Sequence, residues 1–218
     1  MLKTMMISTA AIALLGAATS ASAAVGITFT DGSGALTPGE VIFATFSPGS
    51  DGGVSGSGYV IQTGSNSLGA DPAVGVQGDP YLSVFGGGSA SFSFVGGVSQ
   101  LGLDYGSADG YNLFTLRLSD GSSESYNGNA LINAGTADGN QSAPRTNGRL
   151  TFNTGSGPSI TGLTLSSGQN SLEVDNLGVV GAVPEPATWA MMLVGFGAMG
   201  VSMRRRRTGS TAKLMQIA

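Results

Sequence analysis

Histidine and cysteine are both absent from the 218-residue chain. Their absence excludes a Ser-His-Asp triad, a thiolate nucleophile, a zinc site of the usual ligands and a disulfide framework. Charge is scarce, at 10% of residues, and aromatic side chains make up only 7%. Lysine is missing from the whole stretch between Ala24 and Val183, where three arginines stand against 12 acidic residues, a net −9. Phosphate binding needs clustered Lys and Arg, so this acidic stretch argues against a nucleic-acid partner. What the chain has in excess is glycine: 37 residues, 32 of them between Ala24 and Val183. They lack the G-X-Y period of collagen and fall mostly at turn signals.

The two ends are built differently from the middle. All eight methionines and six of the nine basic residues lie in the terminal segments. Hydrocarbon shaped the ends and water the middle. Lys3, the apolar run Met5 to Ala18 and the small-residue stretch that follows form the tripartite pattern of a secretory signal peptide. Ala21 and Ala23 satisfy the small-x-small rule, so residues 1–23 are read as a signal helix removed by signal peptidase. Residues 24–179 then form the body and 180–183 a short stalk.

The C-terminal segment has its own order of parts. In the run Pro184-Glu185-Pro186 the two prolines cannot continue a helix backwards, so the chain before them is extended. Trp189 suits a membrane interface. Residues 187–203 are apolar, near the lower limit for a spanning helix, roughly 25 Å at the α-helical rise. Arg204, Arg205, Arg206 and Arg207 would stop transfer and stay on the cytoplasmic side, which leaves the body outside. Motif, helix and arginine cluster over 184–207 resemble the PEP-CTERM sorting signal of Gram-negative bacteria, in its PEPxxWA form. The resemblance implies processing by a membrane-embedded exosortase near the Pro-Glu-Pro motif. It also implies an inner-membrane-anchored intermediate, followed by the cell surface or an extracellular matrix of biofilm and exopolysaccharide. The 208–218 extension beyond the arginines departs from most members, which end close to the basic cluster.

Period-2 alternation runs through the body. Ala90, Phe92 and Phe94 alternate with serines; Leu101, Leu103 and Tyr105 with Gly102, Asp104 and Gly106; Phe114, Leu116 and Leu118 with Thr115 and Arg117; Leu150 and Phe152 with Thr151 and Asn153. This is the pattern of half-buried strands. Turn formers separate them: Asp31-Gly32, Asp51-Gly52, Asp109-Gly110, Asp120-Gly121, Asn127-Gly128, Asp138-Gly139 and Asn147-Gly148. The expected fold is all-β: a single β-sandwich, jelly-roll-like or Ig-like. The glycine-rich segments Gly49 to Gly58 and Gly86 to Gly97 read as loops or edges. The order Tyr81-Leu82-Ser83-Val84, Leu103 to Asn112, Gly139-Asn140-Gln141 and Leu172 to Leu177 is similar to a family of exosortase-dependent surface proteins of unknown activity. Tyr105 stands where that family has a tryptophan.

Four carboxylates are candidate ligands. Glu173 and Asp175 lie two apart on a strand and so share a face. With Asp104 and Asp109 they could hold Ca²⁺, which takes six to eight oxygens. The same acids could instead be solvated or cap turns. A glycosidase also works through a carboxylate pair, but nothing in the sequence sets their separation. Tyr105 and Tyr111 flank a Ser-Gly-Asp loop and are the best candidates for a sugar platform; the alternative is an edge-of-core position. The leading expectation is a non-enzymatic exported surface or matrix protein. A carbohydrate-binding module with structural calcium is second, and a carboxylate-dependent glycoside hydrolase third.

Overall fold

The computed structural model describes residues 25–32, 36–72, 78–106, 109–132, 146–181, 194–197 and 199. The signal peptide, the sorting motif 184–186, Trp189, the arginine cluster, the extension and the Asp138-Gly139 turn lie outside the described residues. The described body contains β1 (Gly26–Asp31), β2 (Val41–Ala44), β3 (Ser55–Gln62), β4 (Tyr81–Gly106), β5 (Asn112–Leu118), β6 (Ser123–Asn127), α1 (Gly128–Ile132), β7 (Gly148–Asn153), β8 (Ile160–Ser167) and β9 (Leu172–Gly181). Every strand pair is antiparallel. The all-β expectation holds.

One strand organises the rest. β4 is 26 residues long and takes part in both layers of the body. Its start, Leu82 to Val84, pairs with Val174 to Leu172 of β9. Its middle, Ser89 to Ser93, pairs with β8, and Ser89 to Ser91 also pairs with β3. Its end, Gln100 to Tyr105, runs between β7 and β9. Layer one is therefore β1, β7, both ends of β4, β9, β2 and the second half of β3, whose Tyr59 to Gln62 pair with Val84 to Tyr81. Layer two is the first half of β3, the middle of β4, β8, β5 and β6. A single antiparallel sheet is curled on itself, and its halves face each other.

Alternation explains which side chains meet between the layers. Phe114 of β5 lies 4.9 Å from Tyr105 of β4 and 6.3 Å from Phe152 of β7, ring centre to ring centre. Phe43 of β2 meets Phe92 at 6.0 Å and Phe94 at 5.6 Å. Leu101, Leu103, Leu116, Leu150 and Leu163 fill the space around these rings. Fully burying one such side chain is worth about 1.5–3 kcal/mol.

Gly49 to Val54 is turn and loop, as expected, and leads into β3, whereas Gly86 to Gly97 forms corners of a strand rather than a loop. β4 crosses from layer one to layer two at Gly86 to Gly88 and returns at Phe94 to Gly97, and the register shifts at both places. Gly87, Gly96 and Gly97 have φ of 78°, 81° and 73°, a region that side chains with a Cβ avoid. At the first corner β3 bends with β4, and a Cβ on Gly88 would lie 2.1 Å from the Gly58 carbonyl oxygen. Glycine here permits close approach of two backbones. Gly88→Ala is expected to lower stability by about 2 kcal/mol, as an overpacked site does. A urea midpoint equal to that of the parent would show that the corner can open without cost.

Two further expectations change in detail. Asn127-Gly128 is not a hairpin turn. It opens the short helix α1, where Asn127 Oδ1 caps the helix by accepting from the Ala130 amide at 2.8 Å. Val180 and Gly181 were expected in the stalk, yet they continue β9, paired with Gln100 and Val98. The Asp120-Gly121 turn does join β5 to β6, with Gly121 at φ 87° and Asp120 Oδ1 accepting from the Ser122 amide at 2.9 Å.

Candidate functional site

The outer face of layer one carries most of the buried charge. Arg149 of β7, Asp104 of β4 and Asp175 of β9 are in register across three neighbouring strands. One row along, Gly102 faces Gly178. These two glycines leave a floor with no side chains, and Glu40 from the segment before β2 lies on it: a Cβ at either glycine would strike the Glu40 carboxylate. Glu40 is thereby brought onto Arg149 Nη2, with both side chains at 3% exposure or less. Thr37 donates to Glu40 Oε2 through its amide at 2.9 Å and its hydroxyl at 3.0 Å.

The second guanidinium nitrogen continues the network. Arg149 Nη1 donates to Asp104 Oδ1 at 3.0 Å and to the Asn176 carbonyl at 3.2 Å. Asn176 donates its side-chain amide to Asp104 Oδ2 at 3.0 Å. It does so from φ 48°, a conformation Asn tolerates better than most residues. One cation thus serves two buried carboxylates directly. Asp175 is 1% exposed; burial, with the Asp104 carboxylate adding to it, pushes it up to about 7. Burial also raises Asp104, although Asn176 and Arg149 oppose the shift.

Glu173 lies on the same outer face, opposite Ser83 and Gly106. It accepts from the Ser171 hydroxyl and, at 3.3 Å, from the Ala70 amide. Burial pushes it up to about 7. The segment 63–70 closes over this end: Ser83 donates to the Leu68 carbonyl, and Tyr81 donates to that of Gly64.

The four candidate calcium ligands can now be placed. Asp104, Glu173 and Asp175 do share one face, as the alternation predicts for the last two. Each of the three accepts from protein donors. Among the described residues, no three acidic side chains form a group able to hold a metal ion. Asp109 stands apart at the start of the next hairpin, where its Oδ2 accepts from the Tyr111 hydroxyl at 2.7 Å.

The sugar platform needs correction. Tyr105 is completely buried, its ring edge on Phe114 and its hydroxyl accepting from Asn112 at 3.2 Å. It offers no face to a ligand. The physical reason is the alternation itself, which puts Tyr105 on the side of Leu101 and Leu103. Tyr111 is half-buried. Burial raises its hydroxyl well above the usual tyrosine range, and the Asp109 carboxylate adds to the shift.

Sequence reasoning missed Glu40 and Arg149 as partners. Leu150 and Phe152 point inward, so Arg149 points outward, and an outward arginine ordinarily reads as solvated. The available signal was glycine inside strands at 102 and 178, which marks close approach by another segment.

At the C-terminal end, Val194 to Gly197 and Met199 are helical and exposed. Among the described residues no helix is long and apolar enough to cross a membrane. The family model of the PEP-CTERM protein-sorting motif matches residues 182–207. No curated protein matches the chain. The motif begins directly after the last residue of β9 and marks an exported chain that is processed by an exosortase and passes from a membrane-associated state to the surface.

Proposed function

We propose that this chain, which carries the PEP-CTERM motif, is a non-enzymatic surface or matrix protein. Its β-sandwich body is displayed outside the cell within a polysaccharide layer. The observation that carries the reading is the sorting motif at 182–207, joined without a gap to the last strand of the body. Display and adhesion fit the chemistry of the chain. It has no imidazole and no thiol, and the buried carboxylates of layer one are held by donors from the protein itself. The body is acidic and suits a neutral or cationic surrounding.

The test is intact-mass measurement of the native protein with cell fractionation. The expected species starts near Ala24, lacks Arg204 to Arg207 and sits in the surface or matrix fraction. A mass that still includes the four arginines would refute C-terminal processing. Turnover of a glycan that disappears in both Asp109→Ala and Asp175→Ala would overturn the non-enzymatic reading.

A further inference from the structure

Layer two presents a different outer face. Ser55 of β3, Ser91 of β4, Thr164 of β8, Thr115 of β5 and Ser125 of β6 stand in register across five adjacent strands. With strands about 4.8 Å apart, this row is about 19 Å long. Its hydroxyls are tied in pairs: Ser91 with Thr164 at 2.9 Å and Thr115 with Ser125 at 2.9 Å. The Ser55 hydroxyl donates to the Ser91 carbonyl at 3.2 Å. The rows on either side add more serines together with Leu113 and Asn127. Arg117 is the one charged side chain among these three rows, and none of them holds a carboxylate. Glu124 alternates to the inner side, opposite buried Leu116, where it accepts from Tyr126.

Three features set this face apart. The body carries a net −9, yet these rows are nearly free of charge. Layer one is closed by the segment at Glu40 and by Pro72, which packs on Gly106, whereas on layer two Ser55, Ser93, Leu113, Arg117, Ser123 and Ser125 are exposed. The sorting motif follows β9, a strand of layer one, so the hydroxyl face belongs to the layer that does not carry the tether.

Resting on the reading of a displayed polysaccharide-layer protein, we infer that this hydroxyl face is its adhesion surface and that the partner is an extended, uncharged polysaccharide. Hydroxyls donate and accept, as sugar hydroxyls do, so the two surfaces match group for group without ionic attraction. Each contact exchanges a hydrogen bond to water for one to the partner and gains only about 1 kcal/mol. Binding therefore needs many contacts at once and is selective for long chains over monosaccharides.

The experiment is retention of the exported protein on cellulose powder and on cross-linked dextran, with glucose and alginate as competitors. Retention on at least one neutral matrix is expected, unaffected by free glucose and by Arg117→Gln. The pair Thr115→Glu with Thr164→Glu is expected to lower retention more than tenfold, since two carboxylates are then desolvated against sugar. The pair Thr115→Val with Thr164→Val keeps shape and strand propensity, and a loss of about fivefold is expected from the missing hydrogen bonds. Melting temperatures of both pairs report whether the body still folds. No retention on either neutral matrix, or equal retention of the valine pair, overturns the inference. So does binding that alginate displaces and Arg117→Gln abolishes, which would be ionic. A dimer that the glutamate pair splits, with no retention by the parent, would make the face a contact between copies. A protein that reaches the surface but is not retained fails this inference alone; one that is never exported fails the reading beneath it.

Discussion

Arg149→Ala is expected to cost the exported protein about 3–5 kcal/mol, because it leaves Glu40 and Asp104 buried without their cation. The pairing is not replaceable by solvent. Glu40 is fully covered at its side chain and Asp104 is 4% exposed. Loss of the guanidinium also removes the donor to the Asn176 carbonyl, the group that holds the left-handed turn of β9 in place. The measurement is chemical denaturation of parent and variant. A triple variant, Arg149→Met with Glu40→Gln and Asp104→Asn, is expected to recover most of the loss, since a buried ion pair is often no better than neutral groups of similar volume. A loss below about 1 kcal/mol, the range of an exposed pair, would mean that water reaches this network.

Stability is expected to be higher at pH 5 than at pH 8 by about 5 kcal/mol, from Glu173 and Asp175 together. Burial pushes both carboxyls up to about 7, while in the unfolded chain each titrates near 4. Between those values the folded protein holds protons that the unfolded chain has released. The stabilisation is thus complete below the unfolded value and is lost as pH rises through about 7. Glu173 is opposed by Asp109. Asp175 faces Asp104 and Asp79, and Arg149 partly offsets them. The double variant Glu173→Gln with Asp175→Asn is expected to flatten the profile, as read by melting temperature across the range. A parent whose melting temperature rises from pH 5 to pH 8 would contradict the assigned burial.

The sandwich was legible because alternation is local. Ser89 to Val95, Leu101 to Tyr105 and Phe114 to Leu118 show their inner faces in the order of their own residues. The same pattern already contained the fate of Tyr105, in phase with Leu101 and Leu103. The corners were not legible, because glycine in a sequence looks the same whether it makes a loop or admits a second backbone. Gly88 meets Gly58 only where the register of β3 against β4 breaks, between Ser57 and Tyr59. The charged network was hidden for a related reason. Glu40 and Arg149 are 109 residues apart, and no local pattern reports a partner at that distance. The hydroxyl face was visible only as separate serine alternations; five strands had to be set side by side before it became a surface.

The course of β4 through both layers has a mechanical consequence. Tension from an anchored C-terminal end would enter the body at Gly181 and run lengthwise along β9. The ladder bonds that join β9 to β4 lie across that direction, so they resist together in shear instead of opening one after another. β4 also contributes Ser89, Ser91 and Ser93 to the far layer. A drag on that layer and a pull on the tether would therefore meet in one continuous strand, and the load between them would pass through its glycine corners at Gly86 to Gly88 and Phe94 to Gly97.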